Sequence, residues 1–292
     1  MNLRRPDDDG IVSSGRIMRK GSPIVSSDPR PVILRAEGVT KRFGPVVAVD
    51  RVNYQLHQHE VAGILGSNGA GKTSFFNLLT GYYIPNEGKI FYKGKDITNL
   101  TPQQRVALGM MRTFQLTSTF DNLSVTDNLV LSFFRAHQNA SLLNLFFSAR
   151  KRYRDDENIH AALDQFNLRA VSDRLVTHLS LGEKRRMEIA MAVLAEPEVL
   201  LLDEPLAGLA ESEIKGVLEV LRKQVGKQTI LIVEHKISHV KDFLERLIVM
   251  HEGRIIAEGG YEECLRHPEV RKSYWQIDTP EEDDDQDILH DH

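Results

Sequence analysis

The sequence predicts an α/β fold, with a largely parallel sheet that also carries antiparallel strands and an inserted helical subdomain. Three observations predict it. Short continuous apolar runs, Val61–Leu65, Val199–Leu202 and Thr229–Val233, have the composition of strands buried on both faces. Helix-patterned stretches lie between them, as the crossovers of a parallel sheet require. One loop, Gly66-Ser67-Asn68-Gly69-Ala70-Gly71-Lys72-Thr73, joins the first of these strands directly to a helix.

That loop fits G-x-x-x-x-G-K-[ST], the phosphate-binding loop, and it stands in the strand–loop–helix context the motif needs. Its glycines let backbone N–H groups close around phosphate oxygens with no Cβ in the way. The following helix turns its positive end toward the phosphates. Lys72 is expected to reach the β- and γ-phosphates and Thr73 to ligate Mg²⁺, so Gly66 through Ser74 form the expected nucleotide-binding set. The P-loop core is therefore expected to bind ATP with Mg²⁺.

The elements follow in order. Residues 1–30 are rich in Ser, Pro, Asp and Arg without apolar periodicity and read as a disordered tail. Val32 opens the folded part. Val46, Val47, Val49, Val52, Tyr54 and Leu56 give a strand before Val61–Leu65, and Ser74–Leu79 an apolar-faced helix. The turn-rich 81–88 precedes a strand at Lys89–Tyr92. Residues 116–178 read as a helical subdomain: Asp121 supplies a capping residue, Leu and Phe cluster from Leu131 to Phe147, and the charge run 149–157 reads as a solvated face. A helix over Ser180–Ala195 stops before Pro197. Ile214, Val217, Leu218 and Leu221 make one apolar helix face, and Leu247–Met250, Glu252-Gly253 and Arg254–Ala257 a hairpin. The acidic stretch from Thr279 reads as a second disordered tail, leaving 31–278 as the folded domain.

Composition narrows the function. The 292 residues are 41% hydrophobic and 27% charged, as in ordinary globular proteins. A net charge of −4 gives no global basic field, so nucleic acid is not an expected partner. The single cysteine, Cys264, suits a reducing compartment, and no apolar run reaches the ~18 residues of a membrane helix. The expected location is the cytoplasm, with membrane contact only through a partner.

The chemistry gathers at Leu200-Leu201-Leu202-Asp203-Glu204, an apolar strand ending in two carboxylates. Beside a phosphate loop, Asp203 is placed to hold Mg²⁺ and Glu204 to act as general base for the attacking water. ATP hydrolysis is the reaction this pairing supports. Leu179-Ser180-Leu181-Gly182-Glu183 then resembles the LSGGQ signature of ABC ATPases. Gln115 resembles the Q-loop glutamine of that family, His235 its switch histidine and Ala207–Ala210 its D-loop. Phe43 stands where the family stacks an aromatic ring on adenine. The resemblance covers about residues 31–277, in order and at the right spacings.

The resemblance implies more than the residues alone do. Two ATPase subunits pair head to tail, each ATP being held between the phosphate loop of one and Ser180 and Gly182 of the other. Gln115 joins Thr73 and Asp203 at Mg²⁺, His235 joins Glu204 and Lys72 in catalysis, and closure on ATP drives a membrane permease. The subunit is thus expected at the inner face of the cell membrane, with a second ATPase subunit that is a copy or a different chain. Leu116–Leu129 and the Leu142–Phe147 cluster are candidates for the permease-docking groove. Leu181 and Ala210 depart from the family pattern and are expected to affect the signature backbone and the dimer contact. Thr80-Gly81-Tyr82, Arg112-Thr113-Phe114-Gln115, the Glu234-His235 pair and the 267–274 end are similar to branched-chain amino-acid importers. The alternatives are a lipopolysaccharide or lipid-linked glycan exporter, which 182–190 resembles, and a soluble non-transport ABC ATPase.

Overall fold

The computed structural model describes residues 28–113, 119–137, 154, 156–234 and 237–275. Nearly all of both expected tails, the Leu142–Phe147 cluster and most of the 149–157 charge run lie outside the described residues. An antiparallel sheet is built from β1 (Val32–Phe43), β2 (Val46–His57), β4 (Glu87–Tyr92) and β5 (Lys95–Asp96), in the order β2-β1-β4-β5. A second sheet has the order β10-β9-β3-β8-β7-β6. Its strands are β3 (Val61–Leu65), β6 (Met110–Arg112), β7 (Val199–Asp203), β8 (Thr229–Val233), β9 (Arg246–His251) and β10 (Arg254–Gly259). All pair in parallel except β10, which returns antiparallel on β9 after the Glu252-Gly253 turn.

The continuous apolar runs divide between two cores, because successive residues of a strand point to opposite faces. Ala62, Ile64, Val199, Leu201, Leu231 and Val233 enter one core, shared with the antiparallel sheet and with helix α1 (Lys72–Thr80). Val61, Leu65, Leu200, Leu202, Ile230 and Ile232 enter the other. That second core takes in the inserted helices α3 (Val125–His137) and α4 (Glu157–Gln165), together with α5 (Leu181–Leu194) and α6 (Glu211–Arg222). The cap of α3 is Ser124, whose hydroxyl accepts from the Asp127 N–H, and not Asp121. Asp121 instead accepts from the Thr119 hydroxyl. The chain closes with α7 (Tyr261–Arg266) and α8 (Pro268–Trp275). Among the described residues no helix is long and apolar enough to cross a membrane.

A short helix, α2 (Pro102–Ala107), opens with a capping box between Thr101 and Gln104 and brings Arg105 inside. Arg105 is 1% exposed. Its guanidinium donates to the carbonyls of Leu78 (2.8 Å), Leu79 (2.7 Å), Ile97 (2.8 Å), Thr98 (3.2 Å) and Leu100 (3.2 Å). Burial pushes its pKa down to about 10, which leaves it charged at neutral pH. Leu78 and Leu79 lie in the last turn of α1, so the cation meets the helix's C-terminal carbonyls and its negative dipole end. The loop-bearing helix is thereby fixed from behind. Arg105→Ala removes all five of these bonds and is expected to lower unfolding free energy by about 3 kcal/mol or more. The shift of the urea midpoint at unchanged slope measures it; a shift below about 0.5 kcal/mol contradicts it.

Candidate functional site

The carboxyl ends of β3, β8, β7 and β6 lie along one edge of the sheet, and there the chain leaves each strand through the residues singled out above. After β3 the loop turns with Gly69 at φ +81° and Gly71 at φ +97°. At Gly71 a side chain is also sterically barred: a Cβ would come within 2.3 Å of the Ala48 carbonyl oxygen. A Cβ on Gly66 would meet the Met250 carbonyl oxygen at 2.5 Å. The turn between β9 and β10 pins the loop in place. The Gly253 N–H donates to the Ala70 carbonyl (2.9 Å), while the Gly253 carbonyl accepts from the Asp50 N–H (2.9 Å).

Lys72 begins α1 and curls over the loop, its ammonium donating to the carbonyls of Gly66 (2.7 Å) and Ser67 (3.0 Å). It is 5% exposed. Burial depresses its pKa, while Glu204 and then Asp203 oppose that depression, so the ammonium lies within the field of both carboxylates. Thr73 and Asn68 are exposed, and Ser67 and Ser74 half-buried.

Asp203 ends β7, and its Oδ2 accepts from Arg112 Nη2 at 2.6 Å. Glu204 follows at φ +47°, a left-handed backbone that costs a non-glycine residue about 1–2 kcal/mol. Its N–H donates to the Val233 carbonyl at the end of β8 (2.8 Å), and its carbonyl accepts from Arg185 Nη2 (2.8 Å) and from the Ala207 N–H (3.1 Å). The buried Glu234 accepts from the Leu206 N–H (2.8 Å), joining the chain after β8 to the chain after Glu204. Gln115 and His235 lie outside the described residues. Thr113 and Glu234, which precede them closely, are within.

Thr73 and Asp203 offer a divalent cation one hydroxyl and one carboxylate. Among the described residues no group of three or more His, Cys, Asp or Glu side chains forms a metal cage. This donor set fits Mg²⁺, which keeps its waters and takes substrate phosphate oxygens rather than an all-protein cage.

The remaining site residues stand apart. Phe43 ends β1, 44% exposed, with its ring edge-on to Tyr83 at 5.2 Å and the Lys41 ammonium 5.3 Å from its centre. Ser180 caps α5: its hydroxyl accepts from the Glu183 N–H (3.2 Å), and its own N–H donates to Glu183 Oε2 (2.7 Å). Gly182 is buried against the Glu213 carboxylate, 2.8 Å from where its Cβ would be. Leu181 is the first helical residue and 67% exposed, lying over Gly208. The helix start is ordinarily capped despite this departure from the family pattern. At Ala210 the N–H donates to Glu213 Oε2 (2.9 Å). Among the described residues no hydrogen bond or ion pair joins Ser180 or Gly182 to the 66–74 loop.

Sequence reasoning missed Arg112 and Arg185. A lone arginine in a sequence reads as surface; the parallel register of β6 on β7 brings Arg112 to the Asp203 carboxylate, and the packing of α5 brings Arg185 to the Glu204 carbonyl. The Ser180–Glu183 capping box was legible as S-x-x-E.

A model of the ABC transporter family matches residues 49–207. The high-affinity branched-chain amino acid transport ATP-binding protein LivG of Escherichia coli (strain K12) is 33% identical over 247 residues, spanning 83% of this chain and 97% of that protein. BraF of Pseudomonas aeruginosa, with the same description, is 34% identical over 248 residues, spanning 83% and 97%. Among solved structures, a nucleotide-free ATP-binding cassette from an ABC transporter is 33% identical at a TM-score of 0.68, covering 84% of this chain and 99% of that one. The ADP conformation of another such cassette is 32% identical at a TM-score of 0.67, covering 85% and 100%.

Gly71 and Gly69 give a matched test of the loop. Both need a left-handed backbone, but only Gly71 has a carbonyl where the methyl group would go. Gly71→Ala is expected to weaken ATP binding by about tenfold or more with far-UV circular dichroism unchanged, and Gly69→Ala by less. Equal affinities in titration calorimetry would contradict the packing described for the loop.

Proposed function

We infer, from the premise that this chain belongs to the ABC transporter family, that it is the ATP-binding subunit of a transporter and hydrolyses ATP to drive a membrane permease. The single observation that carries the reading is Lys72: an ammonium folded over a phosphate-binding loop and within the field of Asp203 and Glu204. A triphosphate supplies the anion this arrangement is built for. The loop's amides and the α1 N-terminus hold it, Lys72 neutralises the β- and γ-phosphates, and Phe43 offers its exposed ring to the base. Thr73 and Asp203, with Gln115, would hold Mg²⁺, which when bound offsets charge on the phosphate oxygens.

Glu204 is the general base. Its bent backbone, fixed to Val233 and Arg185, turns it off the strand next to Asp203, where it can take a proton from the attacking water. His235 follows Glu234 and serves the same reaction. Ser180 and Gly182 act in the site of a second ATPase subunit, which supplies the reciprocal pair. The N-terminus of α5, capped by Ser180 and joined to the 66–74 loop by no hydrogen bond among the described residues, supports that reading, because a helix start is itself an anion site. The relatives described as branched-chain amino acid transport ATP-binding proteins support amino-acid import as the process served. A permease partner then holds the subunit at the inner face of the membrane.

Glu204→Gln is the test. Hydrolysis is expected to fall by about 10²- to 10⁴-fold while ATP binding persists. A subunit dimer should then accumulate on ATP, and a tagged variant should retain a polytopic permease after gentle detergent extraction. Parental turnover in the variant sinks the general-base assignment, and recovery with soluble partners alone sinks the transport assignment.

A further inference from the structure

Arg112 is a buried cation at the site that no part of the reading above uses. It ends the edge strand β6, whose register places it beside Leu201, two residues before Asp203. At 7% exposure it has little water, and its guanidinium is divided among three partners. Nη2 donates to Asp203 Oδ2 at 2.6 Å, and Nη1 donates to Asn77 Oδ1 at 2.6 Å and to the Thr80 hydroxyl at 3.3 Å. The guanidinium also lies 4.9 Å from the Phe76 ring centre and 5.1 Å from that of Tyr82. Asn77, Thr80 and Phe76 belong to α1, the helix that Lys72 begins, and Arg112 itself stands three residues before Gln115. One side chain therefore ties together the metal-site carboxylate, the phosphate-loop helix and the chain leading to the Q-loop.

We propose that Arg112 is the resident counter-ion of Asp203, a positioning residue against which Mg²⁺ must bind. The inference rests on the ATPase reading of the site. A carboxylate buried at a strand end needs a compensating charge whenever no cation is bound, and the Arg112 fork supplies it. The fork fixes one carboxylate oxygen and leaves Oδ1 without a hydrogen bond among the described residues, available to a cation or its water. The same positive charge repels an arriving Mg²⁺. Arg112 thus sets two quantities in opposite directions: it lowers affinity for the cation and raises the rate once the cation is bound. A residue needed only for folding would not separate them.

The test is a Mg²⁺ titration of fluorescent ATP-analogue binding, followed by steady-state hydrolysis, on the full chain and two variants. Arg112→Gln keeps a donor and removes the charge. It is expected to bind metal-free analogue like the parent, to need at least about threefold less Mg²⁺ for half-saturation, and to turn over about tenfold more slowly. Arg112→Lys keeps the charge and loses the fork. Its Mg²⁺ requirement is expected to stay within about twofold of the parent while turnover falls, and it tests the proposal alone should the glutamine variant not fold. An unchanged or raised Mg²⁺ requirement in Arg112→Gln, or a change beyond about threefold in Arg112→Lys, overturns the counter-ion role. A parent that binds no analogue at any Mg²⁺ concentration overturns the ATPase reading instead, so the two failures are distinct.

Discussion

The close approach of three backbones governs this site: the 66–73 loop, Ala48 on β2, and the turn at Gly253. No side chain fits between Gly71 and the Ala48 carbonyl, and the Gly253 amide and carbonyl tie Ala70 and Asp50 to the same point. The antiparallel sheet and the β9–β10 hairpin therefore do more than cover a core. They hold the loop in one conformation by packing and by hydrogen bonds to its backbone. Such preorganisation is what lets backbone dipoles act on charge at full strength.

Buried cations organise the rest. Arg105 fixes α1 at its C-terminal end through the carbonyls of Leu78 and Leu79, Lys72 crosses the loop at its N-terminal end, and Arg112 joins the helix to Asp203. Arg185, from the helix that Ser180 caps, holds the carbonyl of Glu204. That last bond has a mechanical consequence. If α5 serves the site of a second subunit while Glu204 serves its own, a shift of α5 on ATP closure bears directly on the backbone of the general base. The strained φ of Glu204 makes its backbone sensitive to such a shift.

Much of this was legible in the sequence. The loop, the two carboxylates and the three buried strands were readable because each depends on local chemistry: glycine freedom, continuous apolar runs and charge at a strand end. Division of the strands between two cores follows from the same runs. β6 and α2 were missed because three and six residues carry too little periodicity, although Thr101 and Gln104 spelled the cap of α2. The full length of β1 was hidden by its register shifts between Ala36 and Lys41, which break alternation. Arg105, Arg112 and Arg185 could not be read at all. Their partners are backbone carbonyls and side chains remote in sequence, and a buried arginine looks in sequence like a solvated one.

The most direct measurement is the structure of the chain with Mg²⁺ and a non-hydrolysable ATP analogue. The expected result has the triphosphate within the 66–73 loop in contact with Lys72, the base against Phe43, and the cation between Thr73 and the Asp203 side chain with Arg112 still beside it. A nucleotide bound elsewhere, or a loop that must be rebuilt to admit it, would contradict a site preformed by the close packing of Gly71 against Ala48.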